Sequence, residues 1–117
     1  ANPNATPARI IPKSTATGYP EKYELYQNYP NPFNPSTMIE FDLPVASTVT
    51  LKVYNLLGQE VATLLNNQLV EEGAQAVEFN AANYPSGVYF YRINVESVDE
   101  DGVASTFTQI MKMMLMK

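Results

Sequence analysis

From Tyr23 onward, apolar and polar residues alternate with a period of two, broken at short intervals by turn-forming residues. The alternation predicts a short first strand over Tyr23–Gln27 and a second over Thr37–Leu43. In the second, Ile39, Phe41 and Leu43 share one face, and Glu40 and Asp42 the other. A third strand, Thr48–Asn55, sets Val49, Leu51 and Val53 against Thr50, Lys52 and Tyr54. Glu60–Leu65 reads as a strand, although its spacing also admits a helical turn, and Asn66–Gly73 reads as a polar connection. Ala74–Phe79 follows with Val77 and Phe79 inward. The strongest strand, Val88–Glu96, is apolar on both faces over its first four residues, which predicts a central strand covered on each side. Phe107–Leu115 is the last. Pro44–Ser47, Asn55–Gly58, Pro85–Gly87 and the hairpin loop Asp99–Gly102 supply the turns, and Gly58 is the residue that takes positive φ at little cost. About seven short strands at this spacing predict an all-β domain, an immunoglobulin-like antiparallel sandwich. No internal repeat is visible.

Two stretches depart from this rhythm. Residues 25–35 interleave Pro30, Pro32 and Pro35 with Tyr26, Tyr29 and Phe33, and with Asn28, Asn31 and Asn34. Each proline fixes φ, removes a donor and drives its predecessor towards extended geometry, while the asparagines close local turns. The result is a rigid corner opening the second strand. Residues 1–22 carry Pro3, Pro7, Pro12 and Pro20 among Ala, Thr, Asn and Ser, and read as a semi-stiff linker reaching up to roughly 65 Å. The competing reading is a short strand around Arg9–Ile11 on the domain edge. The domain proper is then 23–117.

Composition removes several function classes. Seven Lys and Arg, scattered among twelve Asp and Glu, give a net charge of −5, unsuited to nucleic acid or an anionic membrane surface. The chain has no Cys and no His, so thiolate catalysis, disulfides and the commonest general base and metal ligand are all missing. It starts at Ala1 without an initiator Met or signal peptide, and reads as a processed piece of a longer protein.

What chemistry remains is thin. Glu40 and Asp42 share a strand face about 7 Å apart, a spacing superficially suited to paired acid–base work. They lie opposite the core-facing Ile39 and Phe41, however, where a solvated strand face ordinarily carries such residues, and they read as such a face. Asp99, Glu100 and Asp101 offer calcium-type oxygens without the spaced pattern of a calcium loop. Tyr19, Tyr26, Tyr29, Tyr84 and Tyr89 offer sugar-stacking rings or core and corner packing. Met111, Met113, Met114 and Met116 read either as core filler or as an adaptable contact surface. Asn4-Ala5-Thr6 fits the N-glycosylation pattern but reads as linker composition, and Asn31-Pro32-Phe33 fits an endocytic docking tripeptide but reads as part of the rigid proline corner. These readings support no catalytic residues, no metal and no cofactor. The final strand has an open edge at which a second copy could pair, which leaves weak self-association open.

The ordered motifs say more. Leu25-x-Gln27-Asn28-Tyr29-Pro30-Asn31-Pro32-Phe33-Asn34-Pro35 resembles the opening of the C-terminal sorting domains of the type IX (Por) secretion system. Val53–Val61 resembles the central turn of that family, Ser86–Ile93 its G-x-Y strand, and Lys112-Met113-x-Leu115-x-Lys117 its terminal K-M-x-L-x-K. A related sandwich occurs in flagellar hook-capping proteins. Phe79 stands where a Trp is common, Gln75 where a His is frequent, and the hairpin over 97–106 is longer than in many relatives. The resemblance implies a non-catalytic address module on a secreted protein of Bacteroidetes-type bacteria. Its partners would be the outer-membrane translocon, a sortase-like peptidase cutting upstream of Tyr23, and an upstream cargo domain in the same chain. The cargo would cross the inner membrane on a separate signal and end secreted or on the cell surface. The resemblance assigns recognition to Gly87, Tyr89, Lys112, Met113, Leu115 and Lys117, and shape to Pro30, Asn31, Pro32, Phe33 and Gly58. The alternative is an uncleaved structural, adhesive or carbohydrate-binding sandwich of a secreted multidomain enzyme.

Overall fold

A computed structural model describes residues 10–12 and 20–117. The strands are β1 (Ile10–Pro12), β2 (Glu24–Leu25), β3 (Ser36–Leu43), β4 (Ser47–Asn55), β5 (Glu60–Val70), β6 (Gly73–Asn80), β7 (Gly87–Val98) and β8 (Ala104–Leu115). They form two antiparallel sheets, ordered β1-β6-β3-β2 and β5-β4-β7-β8. One core cluster joins them, drawing Ile39, Phe41, Leu43, Val77 and Phe79 from the first sheet and Val49, Leu51, Val53, Tyr91 and Ile93 from the second. The fold is the all-β antiparallel sandwich that the alternation predicts.

Differences lie at the strand ends. The Asn66–Gly73 connection shrinks to two residues, because β5 runs on to Val70 and β6 starts at Gly73. Backbone pairing of Gln68, Leu69 and Val70 with Val49, Thr48 and Ser47 outlasts the side-chain alternation, across register shifts and a left-handed Asn67 (φ 48°). The first strand contracts to Glu24–Leu25. Within the first 22 residues, β1 pairs with β6 (Ile10↔Val77), so the edge-strand reading of that segment is the one realised there. β7 lies between β4 and β8, but its outer face is only half-buried at Val88, Phe90 and Arg92, not covered. A two-sheet sandwich gives each sheet one inner face, and among the described residues no third layer lies over this one.

Candidate functional site

Segments that lie up to 85 residues apart in sequence meet at one end of the sandwich. Asn55, closing β4, pairs with Tyr89 near the start of β7, and Gly87 pairs with Leu115 at the end of β8. Ser36, opening β3 after the proline corner, pairs with Asn80 at the end of β6. The corner, the Asn55–Gly58 turn, the start of β7 and the terminal strand are therefore neighbours.

The corner holds the terminal strand directly. Phe33 N–H donates to Met114 C=O and Met116 N–H donates to Phe33 C=O, both at 3.0 Å, forming a parallel bridge between Phe33 and Leu115. Met114 N–H donates to Asn31 Oδ1 at 2.9 Å, and Gln27 Nε2 donates to Lys112 C=O at 2.7 Å. Three X-Pro bonds in the corner are cis: Tyr29–Pro30, Asn31–Pro32 and Asn34–Pro35. Asn28 braces the loop from within, its amide donating to Thr37 Oγ1 (2.9 Å) and Pro30 C=O (3.2 Å). The Phe33 ring lies near Phe79, which leads through Tyr84 to Tyr89, with successive centroids 6.1, 5.9 and 6.4 Å apart. That aromatic row links the corner to β7 across the core.

Tyr91 is the residue that sequence reasoning missed. Its hydroxyl donates to Tyr26 C=O (2.7 Å) and accepts from Asn28 N–H (2.8 Å), tying β7 to the corner. Burial pushes this phenol up to about 12, partly offset by the hydrogen bond from Asn28. Alternation alone places Tyr91 inward beside Tyr89 and Ile93, and an inward hydroxyl requires a partner. No spacing rule, however, points to an acceptor 65 residues away.

The proposed recognition residues divide by burial. Met113 and Leu115 lie in the core, and Tyr89 is buried with its hydroxyl on Pro85 C=O (2.6 Å) and its phenol raised by burial. Lys112 and Lys117 are exposed. Lys117 is held in place, its N–H on Ser86 Oγ (2.9 Å) and its Nζ on Ala82 C=O (2.6 Å). Gly87 is exposed, and a Cβ there would meet open space. The residues assigned to shape lie in the corner and in the Asn55–Gly58 turn. Phe33 is 2% exposed. Gly58 has φ +81° and donates to Asn55 C=O (3.0 Å), while Asn55 Oδ1 accepts from Leu57 and Gln59 N–H (both 3.0 Å).

The other candidates are absorbed locally. Asp42 accepts the Tyr26 hydroxyl, which also reaches Glu24 (3.2 Å); that carboxylate bond is the main reason the Tyr26 phenol is raised. Asp99 Oδ1 accepts from Asp101 and Val103 N–H (2.9 and 2.8 Å), turning a carboxylate oxygen onto its own loop. Among the described residues, no three acidic side chains converge as a metal site. The methionines split along the strand: Met113 is core, Met111 half-buried, and Met114 and Met116 exposed. Burial of Phe33 withdraws the endocytic tripeptide from any receptor. Tyr84 and Tyr89 face the aromatic row, Tyr26 and Tyr29 are exposed, and Tyr19 and the Asn4 sequon lie outside the described residues.

The family model for the secretion system C-terminal sorting domain matches residues 27–101, well over half of the chain. The chain belongs to that family. No curated protein and no solved structure shows a significant match. As a type IX sorting tail, the domain marks its cargo for secretion or the cell surface and works with the type IX machinery. The family is one of sorting signals, not of enzymes. The matched stretch of the sorting domain spans the corner, the turn and β7, and stops before β8.

Proposed function

We propose that this sandwich is read by the outer-membrane translocon at the end where the corner grips the terminal strand. Cargo reaches the translocon through the periplasm. A sortase-like peptidase then cuts upstream of Tyr23 and leaves the cargo on the surface. One observation carries the reading. The corner's bonds to Lys112, Met114 and Met116 fix the terminal backbone so that alternate side chains, Lys112 among them, point outward. Met113 and Leu115 serve recognition indirectly, by seating that strand in the core. Lys117 is presented beside it from the Ala82–Ser86 connection.

The test is transplantation. A reporter fused ahead of all 117 residues is expressed in a type IX-competent bacterium and in a matched strain without the translocon. Export confined to the competent strain, with the mass of the released reporter ending upstream of Tyr23, is the expected result. Retention of a folded fusion in both strains would contradict the proposal. Deleting 112–117 is a poor control, because it removes two core side chains and the partners of Phe33. Substituting Lys112 and Lys117 with Gln changes the display and spares the core.

A further inference from the structure

Charge is unevenly distributed over the two outer faces. Glu24, Glu40, Asp42 and Glu78 share the outer face of the β1-β6-β3-β2 sheet through the register Glu24↔Asp42 and Met38↔Glu78. Lys52, Arg92 and Lys112 share the outer face of the other sheet, in adjacent rows Lys52↔Arg92↔Ile110 and Tyr54↔Phe90↔Lys112. The same face carries Glu60 opposite Tyr54 and Glu96 two rows beyond Arg92, so its three cations lie towards the motif end while Glu96 lies towards the loop end. Lys52 is already engaged, bonded to Glu60 at 2.9 Å. Glu60 is held below the usual carboxylate range chiefly by that bond, with only a minor contribution from Arg92. Arg92 lies with its guanidinium 5.1 Å from the centre of the Tyr54 ring, and its Nε is buried without a hydrogen-bond partner. A buried N–H with no acceptor is costly unless something supplies one.

The surroundings have the composition of a contact surface. Tyr54, Gly58, Phe90, Arg92 and Ile110 line a shallow, largely apolar depression. Ile110 is 57% exposed, and Leu57, in the turn beside Gly58, is 82% exposed. Aromatic rings beside an arginine are the composition in which binding hot spots are enriched.

We infer that this face, centred on Arg92 and Ile110, docks a protein surface of the secretion machinery that presents a carboxylate beside an aliphatic or aromatic side chain. The carboxylate meets Arg92 and Lys112, and the apolar group fills the depression. The inference rests on the sorting reading and extends the recognition surface from the terminal lysines onto β4 and β7. A protein is favoured over an anionic bilayer, because the whole chain is acidic and the depression accepts a side chain rather than a flat headgroup layer.

The test uses the full 117-residue fusion in a type IX-competent bacterium, with melting temperature measured for each variant. Arg92→Gln and Ile110→Glu are each expected to reduce export about tenfold or more, the loss typical of a central contact residue. Arg92→Lys keeps the charge without the planar fork and is expected to restore export only in part. Glu78→Gln on the opposite face should leave export unchanged. If Arg92→Gln does not fold, the exposed position of Ile110 keeps the test alive. Export of stable Arg92→Gln and Ile110→Glu at the unaltered level would overturn this surface and spare the sorting reading. Retention of the unaltered fusion would overturn both. Binding of the purified domain to phosphatidylglycerol vesicles, lost on Arg92→Gln, would assign the face to a membrane and overturn the protein partner.

Discussion

The two ends of the sandwich are closed in different ways. At the loop end, the turns themselves are closed locally: Ser47 Oγ donates to Val45 C=O, Gln75 Nε2 to Glu71 C=O, and Asp99 caps its own hairpin, while a bond between the Tyr23 and Ser97 hydroxyls (2.5 Å) joins the entering chain to β7. That end carries Glu71, Glu72, Asp99, Glu100 and Asp101, and the connections β3–β4, β5–β6 and β7–β8 hold no Lys or Arg. At the motif end, Gln27, Asn31 and Phe33 bond to a strand more than 80 residues further along the chain, and Tyr91 bonds back to the corner across 65. Generic turn chemistry suffices where a hairpin only has to reverse. The motif residues are needed where four distant segments have to hold one another.

Substitutions should separate the ends, and the largest effect is expected at the corner. Phe33→Ala removes a buried ring from the aromatic row and should cost about 3–5 kcal/mol in urea unfolding. Val103→Ala at the exposed loop end should stay within about 0.5 kcal/mol. Comparable losses for the two would break the distinction. Tyr91→Phe strands Asn28 N–H and Tyr26 C=O in the interior, and should cost about 1–3 kcal/mol while leaving the strand pairing intact in hydrogen exchange.

The same tyrosine sharpens the comparison through pH. Its folded pKa, about 12, lies above the ordinary value of 10.0, so the native state holds the proton more tightly than the unfolded chain. Its contribution is full below pH 10 and is lost as pH rises through about 12, on the order of 2 kcal/mol. Stability measured from pH 9 to 12 should therefore fall less steeply for Tyr91→Phe than for the unaltered protein; parallel curves would refute the assignment. Gly58→Ala, forced into φ +81° with nothing for its Cβ to strike, should cost about 1 kcal/mol, purely as backbone strain. A loss much larger than that would mean that the turn packs against something.

The strands were legible in the sequence because each inner face repeats every second residue, and the same rule read from Met113 and Leu115 separates the core of the last strand from Lys112. What alternation does not carry is partnership. Nothing local tells Phe33 that it will bridge Leu115, or Asn31 that it will accept from Met114, because those bonds join segments brought together only by the whole sandwich. The length of β5 was hidden for a different reason. Asn66, Asn67 and Gln68 look like loop residues, yet a backbone ladder with a bulge asks little of its side chains. The family motifs gather at one end of the molecule. They did not divide its residues into exposed and buried ones.

The most direct measurement is export efficiency of a reporter fused to the full chain, with charge altered at one end at a time and folding verified by melting. Lys112→Gln with Lys117→Gln should lower export at least tenfold, while Glu100→Gln with Asp101→Asn at the loop end should leave it unchanged. Equal export from both double variants, or loss only at the loop end, would contradict the account that the motif end is the face the secretion machinery reads.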